Sequence, residues 1–454
     1  MLKLTCPIFS FSRRTPKKKA LIFGEQSLSY NELNYLIEIA KHDLIKQYPE
    51  KTLGILGRLT PNTIILYFAA LRAKKSVFIF NDKEPTLEIM KKAQELKTSL
   101  IDPSYYDFKN KKRAKNKPKL TLNQIASFIF TSGSSNQPKI CALSLQNHIK
   151  SAKGLRKIAE LNHHSNYLLN LPLYHVSGLN ILYRAFLEGA SCIISAGSCD
   201  LSTLVSKYKI THLSLVSTQL SRWINPVNNL NLPSLKMILL GGGPFSKTLL
   251  EKALFLGLPI YLSYGLSEMC STVTIKKVIS PESIVGLTLP YRGYFLSKEN
   301  EIILHGATLF KGYFCPNLKK LIFTGKYFHS KDFGEKNSKE ELILIGRKDR
   351  RVISGGEKIH PEEIEALLNS FPNILFSYVF FQNKDHDFYH SYAIIKSDTP
   401  VSIDALFLYL KEHLPSYKIP KKIFSFPNHL YIDSHKLSFS QKKELECFYS
   451  SDLL

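Results

Sequence analysis

The chain has 454 residues, a length at which one large and one smaller domain are expected rather than a single core. Hydrophobic residues make up 44% and charged residues 22%, which excludes a disordered chain, a collagen and a disulfide-stabilised miniprotein. With 61 Lys and Arg against 37 Asp and Glu, the net charge is +24. This excess either reflects a general enrichment in lysine or suits anionic partners: nucleic acid, a lipid surface, or phosphorylated and carboxylated small molecules.

The basic residues include two dense runs, at 13–19 and 109–119. Neither run contains aromatic residues on which bases could stack, so we interpret them as a solvated arm and a solvated linker. We therefore expect no nucleic-acid partner. The seven cysteines are odd in number and contain no C-x-x-C pair, which argues against a disulfide framework or a zinc ribbon and favours a cytoplasmic location.

Two classes of membrane-directed segment are not expected. The N-terminal stretch lacks an apolar core followed by a small-residue cleavage site, so we predict no signal peptide. No apolar run approaches the roughly 20 residues that a membrane-spanning helix needs.

The first third of the sequence alternates between predicted strands and helices. A strand at 53–57 is followed by an apolar helix that opens at Pro61, then by a strand at 76–82 and a helix at 86–96. Strands that alternate with helices predict a parallel sheet in an α/β layer.

The middle of the chain continues this pattern with three short apolar runs, at 211–217, 234–240 and 259–265. Each run ends in glycine or serine. We predict three strands with functional loops at their carboxyl ends, where open α/β sheets bind ligands.

The last hundred residues have a different pattern. Pro361 opens a helix with acidic residues in its first turn, two strands follow at 377–381 and 391–396, and a second helix covers 402–414. These elements predict a small α+β domain. We place the boundary after Arg347, giving domains at 1–347 and 348–454.

Residues 128–139 (FIFTSGSSNQPK) form the first candidate site. A short strand runs into a loop of hydroxyl and small residues that ends at Lys139. Backbone N–H groups and hydroxyls can surround phosphate oxygens, and the lysine adds a positive charge. The Walker A spacing is absent, and composition alone fits a surface turn as well as it fits a phosphate loop.

Residues 171–178 (LPLYHVSG) form the second candidate. His175 precedes Gly178, where we expect a turn, and an apolar helix-like run follows. A lone histidine is more often packed or solvated than functional. Arg184 lies on the apolar run and therefore needs a partner, which is either a ligand carboxylate or a structural acid.

The third and fourth candidates follow predicted strands. The glycines of 239–244 either let the backbone approach a ligand closely or form a tight turn. In the segment 261–269 (YLSYGLSEM), Glu268 could hold Mg²⁺, which takes a few carboxylates together with phosphate oxygens, and Tyr264 could cover a base.

The fifth candidate combines a carboxylate and a glycine turn. Asp332 stands alone in the stretch 328–335 and could accept both hydroxyls of a ribose. The pair Gly355 and Gly356 forms a turn that could swing towards a site.

The order of these segments resembles the adenylate-forming superfamily of acyl-CoA synthetases, luciferases and peptide-synthetase adenylation domains. TSGSSNQPK is similar to its phosphate loop, YGLSE to its adenine and magnesium motif, and KDFGE with GRKD to its ribose and hinge motifs. SGGEKIHPEEIE resembles the start of its mobile C-terminal domain. Within the superfamily, PLYHVSGLNILYR, SLVSTQLSRW and YGLSEMCSTV most resemble the o-succinylbenzoate–CoA ligases of menaquinone synthesis.

The resemblance implies an α/β fold, with a large N-terminal domain of the adenylate-forming type and a smaller mobile α+β C-terminal domain. It also implies a ligase that forms an acyl-adenylate and then an acyl-coenzyme A. The implied small-molecule partners are ATP, Mg²⁺, coenzyme A and o-succinylbenzoate.

The resemblance also implies roles for individual residues. The nucleotide-binding residues would be Thr131, Ser132, Gly133, Ser134, Ser135, Lys139, Gly242, Tyr264, Gly265, Ser267, Asp332 and Arg347. The catalytic residues would be Lys436, Glu268 and His175, and Glu268 would also hold the metal. Arg184 would clamp the aryl carboxylate, with Ser177 and Thr218 lining the pocket, and Asp349 would be the hinge.

Two positions depart from the family pattern. Asn136 stands where the phosphate loop usually has glycine, although Asn tolerates left-handed backbone better than other side chains. His435 stands before Lys436 where the family usually has glycine. Neighbouring lysines are therefore competitors for the catalytic role: Lys418, Lys421 and Lys422.

Three other functions remain open from the sequence. The chain could activate another aryl or fatty acid, load a carrier protein, or bind nucleotide without catalysis. Arg184 disfavours a fatty-acid pocket, because such a pocket would not hold a buried cation. Lys139, Glu268, Asp332 and Arg347, present in order, disfavour a non-catalytic protein. The sequence leaves the oligomeric state open, a homo-oligomer included.

Overall fold

The structure is a computed structural model. It describes residues 3–107, 118–131, 139–195, 200–243, 245–318, 320–322, 325–354, 357–385, 388–427, 430, 437 and 439–450.

The described residues form strands and α-helices, numbered here in chain order. The strands are β1 (Lys3–Thr5), β2 (Lys19–Phe23), β3 (Gln26–Ser29), β4 (Thr52–Leu56), β5 (Ser76–Phe80), β6 (Ser99–Ile101), β7 (Lys119–Thr121), β8 (Ile125–Thr131), β9 (Lys139–Ser144), β10 (Asn166–Leu169), β11 (Ser191–Ile194), β12 (His212–Leu215), β13 (Met237–Leu240), β14 (Ile260–Leu266), β15 (Ser271–Lys277), β16 (Ile284–Thr288), β17 (Arg292–Leu296), β18 (Glu301–Gly306), β19 (Tyr313–Cys315), β20 (Lys320–Ile322), β21 (Tyr327–Lys336), β22 (Leu342–Arg347), β23 (Val352–Ser354), β24 (Glu357–Ile359), β25 (Ile374–Asp385), β26 (Phe388–Ser397) and β27 (Lys422–Ser425). The helices are α1 (Pro7–Arg14), α2 (Tyr30–Gln47), α3 (Pro61–Arg72), α4 (Thr86–Glu95), α5 (Leu145–Leu155), α6 (Val176–Glu188), α7 (Leu201–Lys207), α8 (Ser217–Ile224), α9 (Lys247–Phe255), α10 (Pro361–Leu368), α11 (Ile403–His413) and α12 (Phe439–Ser450).

Local sequence explains where the helices begin. At α3, Thr60 accepts a hydrogen bond from the N–H of Thr63, and Pro61 occupies the first helical position, where its missing N–H costs nothing. At α2, Ser29 and Glu32 form a reciprocal capping box. These caps satisfy backbone donors that would otherwise lack partners.

A large mixed sheet carries most of the candidate residues. Its strand order is β17-β18-β21-β22-β16-β15-β14-β13-β12-β10-β11-β2-β3. The strands from β14 through β13, β12, β10 and β11 to β2 pair in parallel. Because parallel strands end at the same edge, the loops after β10, β12, β13 and β14 meet along one line.

A second sheet has the order β20-β19-β9-β8-β5-β4-β6. Strands β6, β4, β5 and β8 are parallel, whereas β8 and β9 form an antiparallel pair. The candidate phosphate loop therefore connects two antiparallel neighbours.

The C-terminal elements pack around cores of their own. Strands β25, β26 and β27 form a three-stranded sheet. Its buried clusters draw only on residues from Ile359 onwards, whereas the clusters of the two larger sheets end at Leu342. The interval between Leu342 and Ile359 contains residue 347, after which we propose the domain boundary.

The structure confirms the predicted elements at β4, α3, β5, α4, β12, β13, β14, α10, β25, β26 and α11. One local expectation is wrong: Gly178 lies inside the first turn of α6 and not in a turn that precedes it. A Cβ at this position would collide with the carbonyl oxygens of Pro172 and Leu171. Glycine is therefore used for close packing of the helix on the preceding loop.

In the described ranges, no helix combines the length and apolar character that crossing a membrane requires.

Candidate active site

Several predicted residues lie where the parallel strands of the large sheet end. His175 and Ser177 follow β10, at the start of α6, and Thr218 follows β12, in the first turn of α8. Gly242 follows β13 with φ of +89°, a left-handed conformation that favours glycine. His175 is exposed, with its ring against Tyr174, whereas Thr218 is buried.

Asp332 on β21 is held by two side chains from other strands. The phenol of Tyr264, on β14, donates to Oδ2 at 2.7 Å, and Nη1 of Arg347, at the end of β22, donates to Oδ1 at 2.8 Å. Three residues predicted to bind nucleotide thus form one connected group. The sequence predicts that Tyr264 covers a base; in the structure its hydroxyl donates to Asp332.

Burial shapes the electrostatics of this group. It raises the pKa of Asp332, and the neighbouring Arg347 guanidinium and the Tyr264 hydroxyl oppose that shift. Burial also raises the pKa of Tyr264, and the Asp332 charge adds to the effect. The phenol therefore remains a hydrogen-bond donor throughout the neutral range.

Arg347 also holds the predicted hinge residue. Its Nε and Nη2 donate to the two carboxylate oxygens of Asp349, at 3.0 and 3.1 Å. One guanidinium therefore connects the candidate ribose ligand, Asp332, to the candidate hinge. Such a two-pronged pair has fixed geometry, which suits a residue that positions its neighbours.

Glu268 lies with Ser267 in a short 3₁₀ turn directly after β14. Its Oε1 accepts a hydrogen bond of 2.6 Å from the hydroxyl of Tyr313, on β19. Burial raises the pKa of the Tyr313 phenol, and the Glu268 carboxylate raises it further. The same carboxylate adds to the burial that raises the pKa of the Cys141 thiol.

The two ends of the candidate phosphate loop, Thr131 and Lys139, lie next to each other. Thr131 and Lys139 face each other as the last pair of the β8–β9 ladder, and the Thr131 hydroxyl donates to the Lys139 carbonyl at 3.2 Å. The Nζ of Lys139 lies 5.2 Å from the centre of the Tyr313 ring. Four predicted loop residues lie outside the described residues, as does Asn136: Ser132, Gly133, Ser134 and Ser135.

The turn that follows Glu268 has strained backbone. Cys270 and Ser271 are consecutive non-glycine residues with φ of +55° and +93°. The Cys270 carbonyl accepts from Ser151 Oγ at 2.6 Å and from Asn180 Nδ2 at 3.2 Å. Gly265 lies against this turn, and a Cβ there would collide with the Ser271 carbonyl oxygen. The glycine of the YGLSE motif is thus explained by close backbone approach.

Arg184 is a buried cation on α6, with 2% of its surface exposed. Its Nη2 donates to Ser271 Oγ at 3.1 Å and to Thr272 Oγ1 at 3.4 Å, and its Nη1 lies 3.4 Å from the Tyr167 hydroxyl. Its Nε has no hydrogen-bond partner within the described part of the chain. The ion pairs among the described residues do not include Arg184, so the structural acid considered from the sequence is not found there.

Arg292, near Arg184, is bound very differently. Its guanidinium donates to the carbonyls of Pro290, Lys150, Ser151 and Thr272. Burial lowers the pKa of Arg292 to about 10, and the positive charge of Arg184 contributes to that shift. Arg292 is thus committed to backbone carbonyls, whereas Arg184 has only neutral hydroxyl partners in the described residues.

The C-terminal predictions are only partly placed by the structure. Lys436, His435, Gly355 and Gly356 lie outside the described residues. Of the competing lysines, Lys418 forms an ion pair with Glu363 at 2.7 Å within the C-terminal unit.

Sequence reasoning missed the residues that hold the candidates in place. Tyr313 and Ser151 lie on segments that we did not single out, and Asn180 lies in PLYHVSGLNILYR without a role assigned to it; each contacts a residue far away in sequence. The only local signal was the aromatic residue after Gly312 in the stretch LFKGYF, which is too common to indicate a role.

A family profile described as AMP-binding enzyme matches residues 74–314, more than half of the chain. A 2-succinylbenzoate–CoA ligase of Staphylococcus aureus is 32% identical over 310 residues, which cover 66% of this chain. The match spans about 63% of the length of that curated relative.

Two solved structures of o-succinylbenzoate CoA synthetase from Bacillus subtilis share the fold at 24% identity. One holds the acyl-adenylate intermediate, with a TM-score of 0.87 and coverage of 98% of this chain and 99% of that chain. The other holds ATP and a magnesium ion, with a TM-score of 0.86 and coverage of 97% and 100%. The α/β adenylate-forming fold predicted from the sequence is therefore confirmed, and the chain belongs to the family of AMP-binding enzymes.

Proposed function

We propose that this chain is an ATP-dependent acid–thiol ligase that joins o-succinylbenzoate to coenzyme A, the ligation step of menaquinone synthesis. In the first step a carboxylate oxygen of the acid bonds to the α-phosphorus of ATP, and the bond to the bridging oxygen breaks to release pyrophosphate. In the second step the thiolate of coenzyme A bonds to the acyl carbon, and AMP leaves. The names of the relatives and the adenylate found in one of them support this proposal.

The observation that carries the choice of acid is Arg184. A guanidinium buried among hydroxyls, with an unsatisfied Nε in the described structure, favours an anionic ligand because burying an unneutralised charge is costly. The acid has two carboxylates, of which one reacts. Arg184 would bind the other, the aryl carboxylate, through its planar fork. Ser177 and Thr218 would line the pocket beside it, together with His175.

The nucleotide would be held at two places. The Asp332 carboxylate would accept from the ribose hydroxyls, oriented by Tyr264 and Arg347. The loop between Thr131 and Lys139 would surround the β- and γ-phosphates, with Lys139 as its cation. Gly242 would allow close approach of the backbone to the nucleotide, and Gly265 and Ser267 would lie beside it at the end of β14. Carboxylate and triphosphate repel each other, so this positive charge and alignment are what the first step needs.

Glu268 is the residue that would hold Mg²⁺. A single carboxylate fits this ion, which commonly keeps one or two protein carboxylates and takes its remaining ligands from phosphates and water. In the described residues, no group of three or more His, Cys, Asp or Glu side chains offers an alternative metal site. When bound, the ion would neutralise phosphate charge.

The second step requires the C-terminal domain to move. Lys436 would bridge the acyl carboxylate and the α-phosphate in the first step and would then have to leave before the thiol enters. We propose that residues 348–454 rotate about Asp349, which the separate cores on either side support. Glu357 and the adjacent glycines would then replace Lys436.

The cysteines support a cytoplasmic location for this reaction. Those of the described residues are all free, and four of them are buried.

The test is pyrophosphate release from ATP and Mg²⁺ with o-succinylbenzoate, benzoate, a medium-chain fatty acid or an amino acid, each with and without coenzyme A. Of the four acids, we expect only o-succinylbenzoate to give pyrophosphate release. We also expect release to be lost in Arg184→Ala and retained in Arg222→Ala, a matched change at an exposed arginine on α8. Release with another acid would support adenylate formation and contradict o-succinylbenzoate as the substrate. No release with any acid, despite ATP binding, would contradict the proposal that the protein is an enzyme.

A further inference from the structure

Tyr313 contacts both a proposed phosphate ligand and the proposed metal ligand. It stands at the start of β19, paired with Cys141 of β9, two residues beyond Lys139. Its hydroxyl donates to Glu268 Oε1 at 2.6 Å, and its ring lies under Lys139 Nζ at 5.2 Å. The nucleotide-binding roles proposed above do not include this tyrosine.

The segment that ends in Tyr313 holds Glu268 twice. The N–H of Phe310 donates to the main-chain carbonyl of Glu268 at 2.8 Å, and the Tyr313 hydroxyl holds the carboxylate of the same residue. The Phe310 and Tyr313 rings pack edge to face at 4.8 Å. Backbone and side chain of Glu268 are therefore fixed by one short stretch of chain.

That stretch is itself attached to β9. The N–H of Lys311 donates to the Ala142 carbonyl at 2.8 Å, and the Ala142 N–H donates to the Gly312 carbonyl at 3.0 Å. Lys139 begins the same strand. Hydrogen bonds thus connect the stretch that holds Glu268 to the strand that begins with Lys139. Tyr313 belongs to this stretch, and its side chain contacts both residues.

The chemistry explains why a tyrosine is suited to this place. Lys139 and Glu268 both contact Tyr313, and without it they could gain energy by forming an ion pair with each other. In such a pair the lysine would no longer bind the phosphates and the glutamate would no longer bind the metal. A neutral phenol satisfies one carboxylate oxygen without cancelling its charge, and the ring face attracts the ammonium. The Glu268 carboxylate, which the Cys141 thiol also contacts, then keeps its charge for a cation.

We propose that Tyr313 is a positioning residue for the metal–nucleotide complex: it orients the Glu268 carboxylate towards Mg²⁺ and keeps it apart from Lys139. This inference rests on the proposed function, since it assumes that Glu268 meets Mg–ATP.

The test measures ATP binding by isothermal titration calorimetry, without acid or coenzyme A so that no turnover occurs. Wild type, Tyr313→Phe and Tyr294→Phe are each titrated with ATP in Mg²⁺ and in EDTA. Tyr294 is the matched control, because it is a half-buried tyrosine whose hydroxyl has no hydrogen-bond partner in the described structure. The ratio of the two dissociation constants gives the gain in affinity due to Mg²⁺.

We expect Tyr313→Phe to reduce this gain about tenfold, the loss typical of a hydrogen bond to a charged group, with ATP affinity in EDTA nearly unchanged. Tyr294→Phe should match wild type. In a Glu268→Gln background, Tyr313→Phe should have no further effect, because its action passes through Glu268.

An unchanged gain in Tyr313→Phe, or an equal loss of affinity with and without Mg²⁺, would overturn this inference and leave the proposed ligase intact. A wild-type protein whose ATP affinity does not depend on Mg²⁺ would overturn both the inference and the metal role of Glu268.

Discussion

The phenol of Tyr264 donates a hydrogen bond of 2.7 Å to the carboxylate of Asp332, 68 residues further along the chain. The bond joins β14 to β21, two strands that are not neighbours in the sheet. Two residues that the sequence assigned to separate motifs thus act as one unit. Tyr264 and Arg347, each donating to one carboxylate oxygen, therefore fix the orientation of the Asp332 carboxylate.

Removing this donor should weaken nucleotide binding. We expect Tyr264→Phe to reduce ATP affinity about tenfold, because the buried Asp332 loses a hydrogen bond that favours its charged form. Calorimetric titration with ATP measures the effect. Tyr261→Phe, on the same strand and half-buried, is the control that should bind ATP as wild type does. Equal affinity of the two variants would contradict the role of Tyr264.

Replacement by methionine should affect the stability of the protein far less at Arg184 than at Arg292. We expect Arg184→Met to change the stability of the ligand-free protein by less than about 1 kcal/mol, because it removes a buried cation that has no acidic partner in the described residues. Arg292→Met should cost about 3 kcal/mol or more, since it leaves several carbonyls without donors.

Urea unfolding followed by fluorescence measures both arginine variants. Trp223 is the single tryptophan of the sequence and is buried, so it reports unfolding of the unit that contains both arginines. If Arg184→Met were as destabilising as Arg292→Met, Arg184 would be a structural residue and the proposed carboxylate clamp would be wrong.

His148 should make the protein sensitive to mild acid. Its imidazole is fully buried against the Tyr183 ring, and it contacts Ser127 Oγ at 2.8 Å, Asn180 Oδ1 at 3.4 Å and Cys270 Sγ at 3.3 Å. Burial lowers the pKa of His148 to about 3. The unfolded chain takes up this proton below about pH 6.5, whereas the folded chain does not do so until about pH 3, so stability falls as the pH falls between these values.

The expected size of this effect at pH 5 is roughly 2 kcal/mol relative to neutral pH. His212, whose pKa burial lowers to about 4, adds a similar contribution. We expect His148→Asn to lose less stability than wild type between pH 7.5 and pH 5 in urea unfolding. The exposed His163→Asn should retain the wild-type pH dependence, and a His148→Asn curve parallel to wild type would refute the assignment.

Arg350 should stabilise the C-terminal unit alone. Its guanidinium donates to Glu362 at 3.1 Å, to both carboxylate oxygens of Glu365 at 2.7 and 2.9 Å, and to the Val379 carbonyl at 3.0 Å. Arg350→Met leaves these acceptors largely buried and should destabilise this unit by about 2–4 kcal/mol.

Hydrogen exchange read by mass spectrometry tests this prediction. Protection should fall in β25 and α10 and remain unchanged in β12 to β14, as expected for a separate domain beyond residue 347. Lys411→Met, at an exposed lysine on α11, should leave protection unchanged. Loss of protection throughout the chain would argue against the proposed boundary.

The elements that could be predicted from the sequence are those whose signals are local. Apolar runs bounded by glycine or serine mark β12 to β14, and Pro61 and Pro361 mark the starts of α3 and α10. Gly178 was misplaced because a glycine used for helix packing cannot be distinguished locally from one in a turn. The candidate residues Thr131, Lys139, Glu268, Asp332 and Arg347 were found because their motifs are short and occur in order.

The sequence by itself determined the family pattern, the alternation of strands with helices in the segments named above, and the residues that bear charge at the candidate site. Only the tertiary structure decided which residues hold those charges in place: Tyr264 on Asp332, Tyr313 on Glu268, and Arg347 between Asp332 and Asp349. It also decided that Arg184 is buried among hydroxyls. The physical reason is that hydrogen bonds and desolvation depend on what surrounds a side chain in space, and sheet pairing brings together residues that lie far apart in the sequence.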